Sequence, residues 1–186
     1  MSQKSKKIIW AVDAFTEDKT LHKKAATVLK AWVHESPISI EPVFIMSPDQ
    51  LNIPESVFPA IKVETETEAR KRLAALSSDS GISQLLSPTL LVSASFSLRN
   101  AVHTLLDYAK QTGADLIAVS TQSKKGATRF FFGSFAETLV LQSEIPVLMV
   151  SPKTSQISQI KHVLYATDLT EASREAYQQI LDLAER

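Results

Sequence analysis

Short apolar runs alternate with longer amphipathic stretches along most of this chain, and this alternation limits what it can fold into. Five runs are dense in Val, Ile or Leu, at residues 8–12, 38–46, 89–93, 116–120 and 146–150. Between the third and fourth runs, apolar residues recur at helical spacing from Leu98 to Ala109, with Ser97 as an N-cap and Gly113 as a stop. Alternating strands and helices predict βαβ units. We therefore expect an α/β fold, with a mostly parallel sheet that is covered on both faces.

Two further segments complete this pattern. Residues 18–33 are predicted to form a helix with an apolar stripe facing the sheet. Residues 47–87 are less regular, and we interpret them as a loop-plus-helix crossover with a charged helix near 66–76 and a Ser-rich stretch over 77–87. The charges of this crossover, among them Glu68 and Arg72, are expected to form a solvated face.

A repeat divides the chain. Residues 7–13 (KIIWAVD) are echoed by residues 162–168 (HVLYATD), so that Asp13 returns as Asp168, 155 positions later. This predicts a complete domain over residues 1–152, a linker over 153–160, and the first βα unit of a second, incomplete domain over 161–186. A lone βα unit has little to pack against. Either the natural chain continues, or a strand at 161–167 pairs with a sheet in the first domain or in another molecule.

Composition and charge exclude several kinds of function. Twenty basic and twenty acidic residues give a net charge of zero, so neither nucleic acid nor an anionic membrane is an expected partner. The absence of cysteine excludes disulfides and thiolate chemistry, and the four histidines show no metal-binding spacing. The longest wholly apolar run has five residues, far below the roughly 20 of a membrane helix, so a cytoplasmic protein is expected. No Gly-x-Ser-x-Gly elbow occurs, and no catalytic or metal-binding residue is assigned.

Several motifs in this order are specific enough to compare with known families: AVD at 11–13, GADLIAV at 113–119, Gly133-Ser134, IPVLMV at 145–150 and ATDLTEAS at 166–173. Together they resemble the universal stress protein family. The resemblance covers residues 6–151 in element order, and the restart at 161 is similar to the second half of a tandem family member. It implies a Rossmann-like five-stranded parallel sheet, with adenine nucleotide bound in some members at the carboxyl ends of the first and fourth strands. That placement agrees with the switch-point rule for open α/β sheets.

The resemblance also implies a set of nucleotide-contacting positions. Nucleotide-binding members carry two glycines three residues apart after the fourth strand, and a Gly-Ser or Gly-Thr pair ten residues later. Asp13, Gly133 and Ser134 match the family positions, whereas Ser120 and Ser123 stand where the two leading glycines are expected. Adding a Cβ where φ is positive costs about 1 kcal/mol or more and fills space that phosphate oxygens need. The resemblance thus implies weak or absent ATP binding.

Other interpretations of these residues remain open. Serine hydroxyls also bind phosphate, and Lys124, Lys125 and Arg129 would bring cations to the same loop. Conversely, Ser134 is explained equally well as a helix N-cap, and an Asp at position 13 could cap the helix that follows it.

Two hypotheses of function follow. The first is a non-enzymatic stress-response or regulatory protein, without a required cofactor, that acts through dimerisation and partner binding. Its fifth strand at 146–150 would pair two domains, in a homodimer or within one chain. The alternative is an ATP-binding, or ATP-hydrolysing, universal stress protein that uses the loop at 120–134.

Overall fold

The computed structural model describes residues 6–33, 38–51, 53–54, 56–93, 97–121, 134–155, 157 and 160–184. The elements in these residues are, in chain order, β1 (Lys6–Ala11), α1 (Lys19–Val33), β2 (Ile38–Met46), α2 (Pro48–Leu51), α3 (Phe58–Ser80), β3 (Thr89–Val92), α4 (Leu98–Gln111), β4 (Leu116–Ser120), α5 (Ser134–Gln142), β5 (Val147–Val150) and α6 (Glu171–Ala184). None of the described helices combines the length and the apolar character that crossing a bilayer requires.

The five strands form one parallel sheet in the order β3-β2-β1-β4-β5. The predicted α/β class with a five-stranded parallel sheet is therefore confirmed. The chain first builds outward from β1 through β2 to β3, and then crosses to β4 on the other side of β1. Consequently β1 and β4 flank the switch point, where the crevice of such a sheet opens at the carboxyl ends of the strands.

Helices cover the sheet on both faces, which explains why its strands read as continuous apolar runs. The side chains of β1 alternate between the two layers, with Ile8 and Trp10 in one apolar cluster and Ile9 and Ala11 in the other. Leu29 of α1 and Leu73 of α3 belong to the first cluster. Leu105 of α4 and Leu139 of α5 belong to the second.

The crossover from β2 to β3 differs from its prediction. The helix α3 covers residues 58–80, so it begins eight residues before the predicted charged helix near 66–76 and extends four residues into the Ser-rich stretch that follows. Serines fit here because their hydroxyls bond back to the helix: Ser77 Oγ donates to Leu73 O (2.9 Å), and Ser78 Oγ donates to Ala74 O (3.1 Å). The helix ends at Gly81, which has φ of 62°.

Residues 160–184 contain only part of the predicted βα unit. The helix α6 forms as expected, but residues 161–167 join no β-ladder, so the predicted strand is not formed. The physical reason is the lack of a sheet edge beside them, which leaves Leu164 98% exposed. Instead the segment contacts itself: the rings of Tyr165 and Tyr177 lie 5.1 Å apart, and Tyr165 OH donates to Ser173 O. The assignment of residues 161–186 to a second domain stays a prediction.

Candidate functional site

The carboxyl ends of β1 and β4 bring two of the predicted site residues to one edge of the sheet. The two strands are adjacent, with Ala11 opposite Val119. Asp13 follows β1 by two residues, and Ser120 is the last residue of β4. Thus sequence positions more than 100 residues apart meet at the switch point, as the order of the elements predicts.

Asp13 has a local structural role at this edge. Its Oδ1 accepts a hydrogen bond from Phe15 N at 2.9 Å, which closes the turn after β1. Its carbonyl oxygen lies 3.1 Å from His22 Nε2, on the first turns of α1. Burial lowers the pKa of His22 below its usual value, so the ring is neutral at pH 7 and Nε2 is the donor in this contact. The turn and the helix are therefore fixed to each other through the backbone of Asp13.

The remaining predicted positions are only partly described. Ser120 is half-buried and ends a strand, and its φ is not positive, so the backbone cost expected for a side chain in place of glycine does not arise there. Ser134 begins α5, whereas Ser123 and Gly133 lie outside the described residues, as do the loop cations that the sequence offers as phosphate ligands. Ala136, which stands where the family resemblance implies a hydroxyl, is buried in the apolar cluster beneath α5. The described part of this edge therefore supplies the carboxylate of Asp13 and the hydroxyl of Ser120.

A groove of about 630 Å³ runs between α1 and α3 and extends from Asp13 toward the end of α3. Its floor includes Trp10, and Glu68 and Arg72 line its α3 wall. These two charged residues were predicted to belong to a solvated face, and the structure places them at the wall of a concave site. A volume of this size is typical of small-molecule sites.

Sequence reasoning missed this groove because it depends on residues that are distant in sequence. The period of two in β1 shows that Trp10 shares a face with Ile8, and helical spacing places His22 beside the apolar stripe of α1. Neither pattern shows that α3 lies next to them. The rings of Trp10 and His22 meet edge-on, with centroids 6.3 Å apart.

Asp168 repeats the local geometry of Asp13. Its Oδ1 accepts from Thr170 N at 3.1 Å, two residues on, as Asp13 Oδ1 does from Phe15 N. Hydrogen bonds from the Ser173 hydroxyl and from Thr170 lower the pKa of Asp168 to about 2. The sequence repeat therefore extends to the turn that follows each aspartate. Within the described residues, no group of three or more His, Asp or Glu side chains is placed to hold a metal ion.

Comparison with known families gave one match. The model of the universal stress protein family, Usp, matches residues 4–151. Comparison with the curated proteins gave no match.

Comparison with solved structures shows the same fold in other proteins. A universal stress protein from Archaeoglobus fulgidus has a TM-score of 0.57 and 18% identity, over 78% of this chain and 98% of that chain. The hypothetical protein MJ0577 has a TM-score of 0.58 and 20% identity, over 81% and 98% of the respective chains. A functionally unknown protein, PA1789 from Pseudomonas aeruginosa, has a TM-score of 0.53 and 17% identity, over 80% of this chain but 48% of that chain.

Proposed function

This chain belongs to the universal stress protein family, and from that membership we propose that it is a non-enzymatic stress-response protein that works by pairing domains through the edge of β5. The pair of domains formed in this way is the form that binds regulatory partners. In this proposal, the nucleotide affinity of the first domain is weak or absent, and nucleotide is not required for pairing.

The observation that carries the proposal is the open flank of β5. This strand ends the sheet order, and only β4 pairs with it among the described residues. The first four residues of β4 are buried, whereas the first three residues of β5 are only half-buried although they are equally apolar. An unpaired apolar edge is a template for pairing with another strand.

The hydrogen bonds of β5 show which backbone groups are available at this edge. Ile117 N donates to Pro146 O at 3.0 Å, and Thr121 N donates to Val150 O at 2.9 Å. Because successive residues of a strand point their polar groups to opposite sides, the N–H and C=O groups of Val147 and Met149 point away from β4. These groups can form a ladder with an incoming strand.

The apolar surface extends from the strand to the neighbouring helix. The helix α5 packs against β5 and exposes Val140 and Leu141, the latter to 79%. Apolar side chains beside an open edge supply the buried core that backbone pairing alone lacks.

The partner domain is a second copy of this chain or a second domain of a tandem chain. The repeat of residues 7–13 at 162–168, and the matching turns at Asp13 and Asp168, support the tandem arrangement. So does the match to less than half the length of the Pseudomonas aeruginosa protein, whose likeness is one of fold. A chain with two such domains could join the two β5 edges internally.

Proline substitutions at the edge test the proposal. Val147→Pro and Met149→Pro each remove an outward N–H, which an edge strand tolerates, while leaving the bonds to β4 in place. We expect sedimentation velocity to show a dimer of the unmodified chain, and either variant to weaken it at least tenfold, with circular dichroism and Tm nearly unchanged. The control Leu148→Pro removes an N–H that faces β4, and it should lower Tm. A monomeric unmodified chain, or dimers unaffected by both edge prolines, would contradict the proposal.

ATP binding is the second candidate function. Asp13 and Ser120 favour it, because they lie at the ends of neighbouring strands on either side of the switch point. Calorimetric titration with ATP and magnesium tests it: micromolar affinity that Asp13→Ala and Ser134→Ala both abolish would place this function first. Binding that neither substitution changes would exclude this edge of the sheet as the site.

A further inference from the structure

The groove between α1 and α3 owes its space to small residues. Ala26 on α1 and Ala75 on α3 line it, as does Ala14 after β1. Elsewhere in the same layer, Leu29 and Leu73 fill the space over the sheet. The short side chains of these alanines leave space between the two helices, and Trp10 lies at the floor of that space.

The indole of Trp10 carries a hydrogen-bond donor that no described residue accepts. The residue is 1% exposed, and within the described part of the chain its Nε1 has no hydrogen-bond partner. Buried side-chain donors are paired in most proteins, because leaving one unpaired is costly. An acceptor atom that enters the groove would satisfy this donor.

His22 lines the same groove and carries a hydrogen-bond acceptor. Its ring lies edge-on to Trp10. Because Nε2 donates to Asp13 O in a neutral ring, Nδ1 carries a lone pair. A hydroxyl group both accepts and donates, so one such group can serve an indole N–H and an imidazole lone pair.

The charges around the groove favour an anion. Lys19, Lys23 and Lys30 line it, and none has a carboxylate within ion-pair distance among the described residues. The nearby Arg72 and Glu68 form an ion pair with each other, in which Arg72 Nε lies 2.7 Å from Glu68 Oε1.

Two other carboxylates line the groove. Asp13 closes its own turn, and Asp79 forms no ion pair among the described residues. Among the described residues, three lysines without an acidic partner thus face two aspartates without a basic partner, an excess of one positive charge.

We propose that this groove binds a hydroxyaromatic carboxylate, with its hydroxyl between Trp10 and His22 and its carboxylate among the lysines of the rim. The aromatic body lies between the alanines of the two helices. The site is separate from the loop after β4, and it does not rest on the proposed pairing of domains.

Nuclear magnetic resonance of the two tryptophan indoles tests the site directly. In a titration of the full chain with 6-hydroxy-2-naphthoate, we expect the Trp10 indole N–H resonance to shift and saturate, while that of Trp32 stays in place as an internal control. The analogues 2-naphthoate, which lacks the hydroxyl, and 2-naphthol, which lacks the carboxylate, should each bind at least fivefold more weakly. Absence of a saturable Trp10 shift, or equal affinity for all three compounds, would overturn the proposal.

Two matched pairs of variants locate the binding. Ala75→Phe fills the groove, whereas Ala74→Phe adds the same ring to a neighbouring exposed position that does not line it. We expect at least tenfold weaker binding for the first and no change for the second. Lys30→Gln should weaken binding about threefold or more, against no change for Lys71→Gln, which lies on α3 outside the groove. Equal effects within both pairs would exclude the groove as the site.

Discussion

Glu41 is a buried carboxylate in the middle of β2, and three side chains make its burial tolerable. Lys7 Nζ lies 2.6 Å from Glu41 Oε2, and the hydroxyls of Thr89 and Tyr108 donate to Oε1. Burial opposes ionisation of Glu41, but the hydrogen bonds from Lys7, Thr89 and Tyr108 outweigh it and hold its pKa below the usual value. The cluster links β1, β2, β3 and α4 on one face of the sheet.

This cluster makes stability depend on acid pH. Because the pKa of Glu41 is lower in the folded protein, its contribution to stability is fully present above the usual pKa of 4.5 and is lost as pH falls through the folded pKa. Glu41→Gln should reduce the free energy of unfolding by about 1–3 kcal/mol at pH 7 and flatten its decline below pH 4.5. Urea denaturation at a series of pH values measures both effects.

A second glutamate provides the control for that experiment. Glu144 pairs with Lys110 on the surface, where its side chain is 79% exposed. Glu144→Gln should change the free energy of unfolding by less than about 1 kcal/mol, because exposed ion pairs contribute little. Equal costs for the two substitutions would show that burial of Glu41 is not what makes its cluster important.

Ser120 and Ser123, which stand where the family resemblance implies glycines, allow a test of the glycine argument. If the Cβ and hydroxyl of Ser120 and Ser123 obstruct phosphate, the double change Ser120→Gly and Ser123→Gly should strengthen ATP binding tenfold or more. Calorimetry on the unmodified and double-variant chains measures the difference. Adding Asp13→Ala to the double variant should remove the gain, whereas an unchanged affinity in the double variant would show that the loss of glycine is not the obstacle.

At the scale of the elements, the end of α3 depends on a glycine conformation. Gly81 has φ of 62°, and a Cβ at this position would lie 2.8 Å from Lys30 Nζ. The ammonium group ends a flexible side chain and can move away, so the backbone conformation sets the cost. Gly81→Ala should therefore destabilise the protein by about 1 kcal/mol.

Gly113, after α4, is the matched comparison. Its φ is 66°, and a Cβ there would meet nothing within 4 Å. Gly113→Ala should lower the free energy of unfolding, measured in denaturant, by about as much as Gly81→Ala. In both variants alanine must adopt a left-handed backbone conformation. A cost at Gly81 larger by about 2 kcal/mol or more would mean that the Lys30 contact is held rigidly.

The sequence predicted the elements that local periodicity defines. The bounds of β2 and β4 agree with the structure, because each is an apolar run closed by polar residues. The predicted end of α3 came too early because serine, judged by its propensity alone, favours loops. In the structure, the hydroxyls of Ser77 and Ser78 instead donate to carbonyl oxygens of the same helix. Local patterns thus identify an element more reliably than they place its end.

The candidate site likewise has one part that local sequence patterns predict and one part that they do not. Asp13 and Ser120 follow from strand ends and from the order of strands, which a βαβ pattern already contains. The partners of Glu41 and the Trp10 groove depend on side chains from three or more elements, and no periodicity shows which of them converge. Only the folded structure shows that these distant residues converge.

At the scale of the whole molecule, the described residues up to 157 contain both apolar clusters, whereas residues 160–184 contribute to neither. Both apolar clusters lie within residues 8–157, and Ile157 packs against one of them. Nearby, Lys24 Nζ donates to Pro152 O and ties α1 to the chain that leaves β5. By contrast, α6 is mostly exposed, and Leu169 and Leu164 lie almost fully in solvent.

This difference predicts how truncation affects stability. A chain that ends at residue 157 should keep the free energy of unfolding within about 0.5 kcal/mol of the full chain, because it retains both clusters and the Lys24 contact. A chain that ends at residue 151 loses Ile157 and the acceptor of Lys24, and should be less stable by about 1–3 kcal/mol. Urea unfolding at low protein concentration measures both without a contribution from association. If the chain that ends at residue 157 were also destabilised by about 2 kcal/mol, residues 160–184 would have to stabilise the sheet domain. The division of the chain near residue 160 would then be wrong.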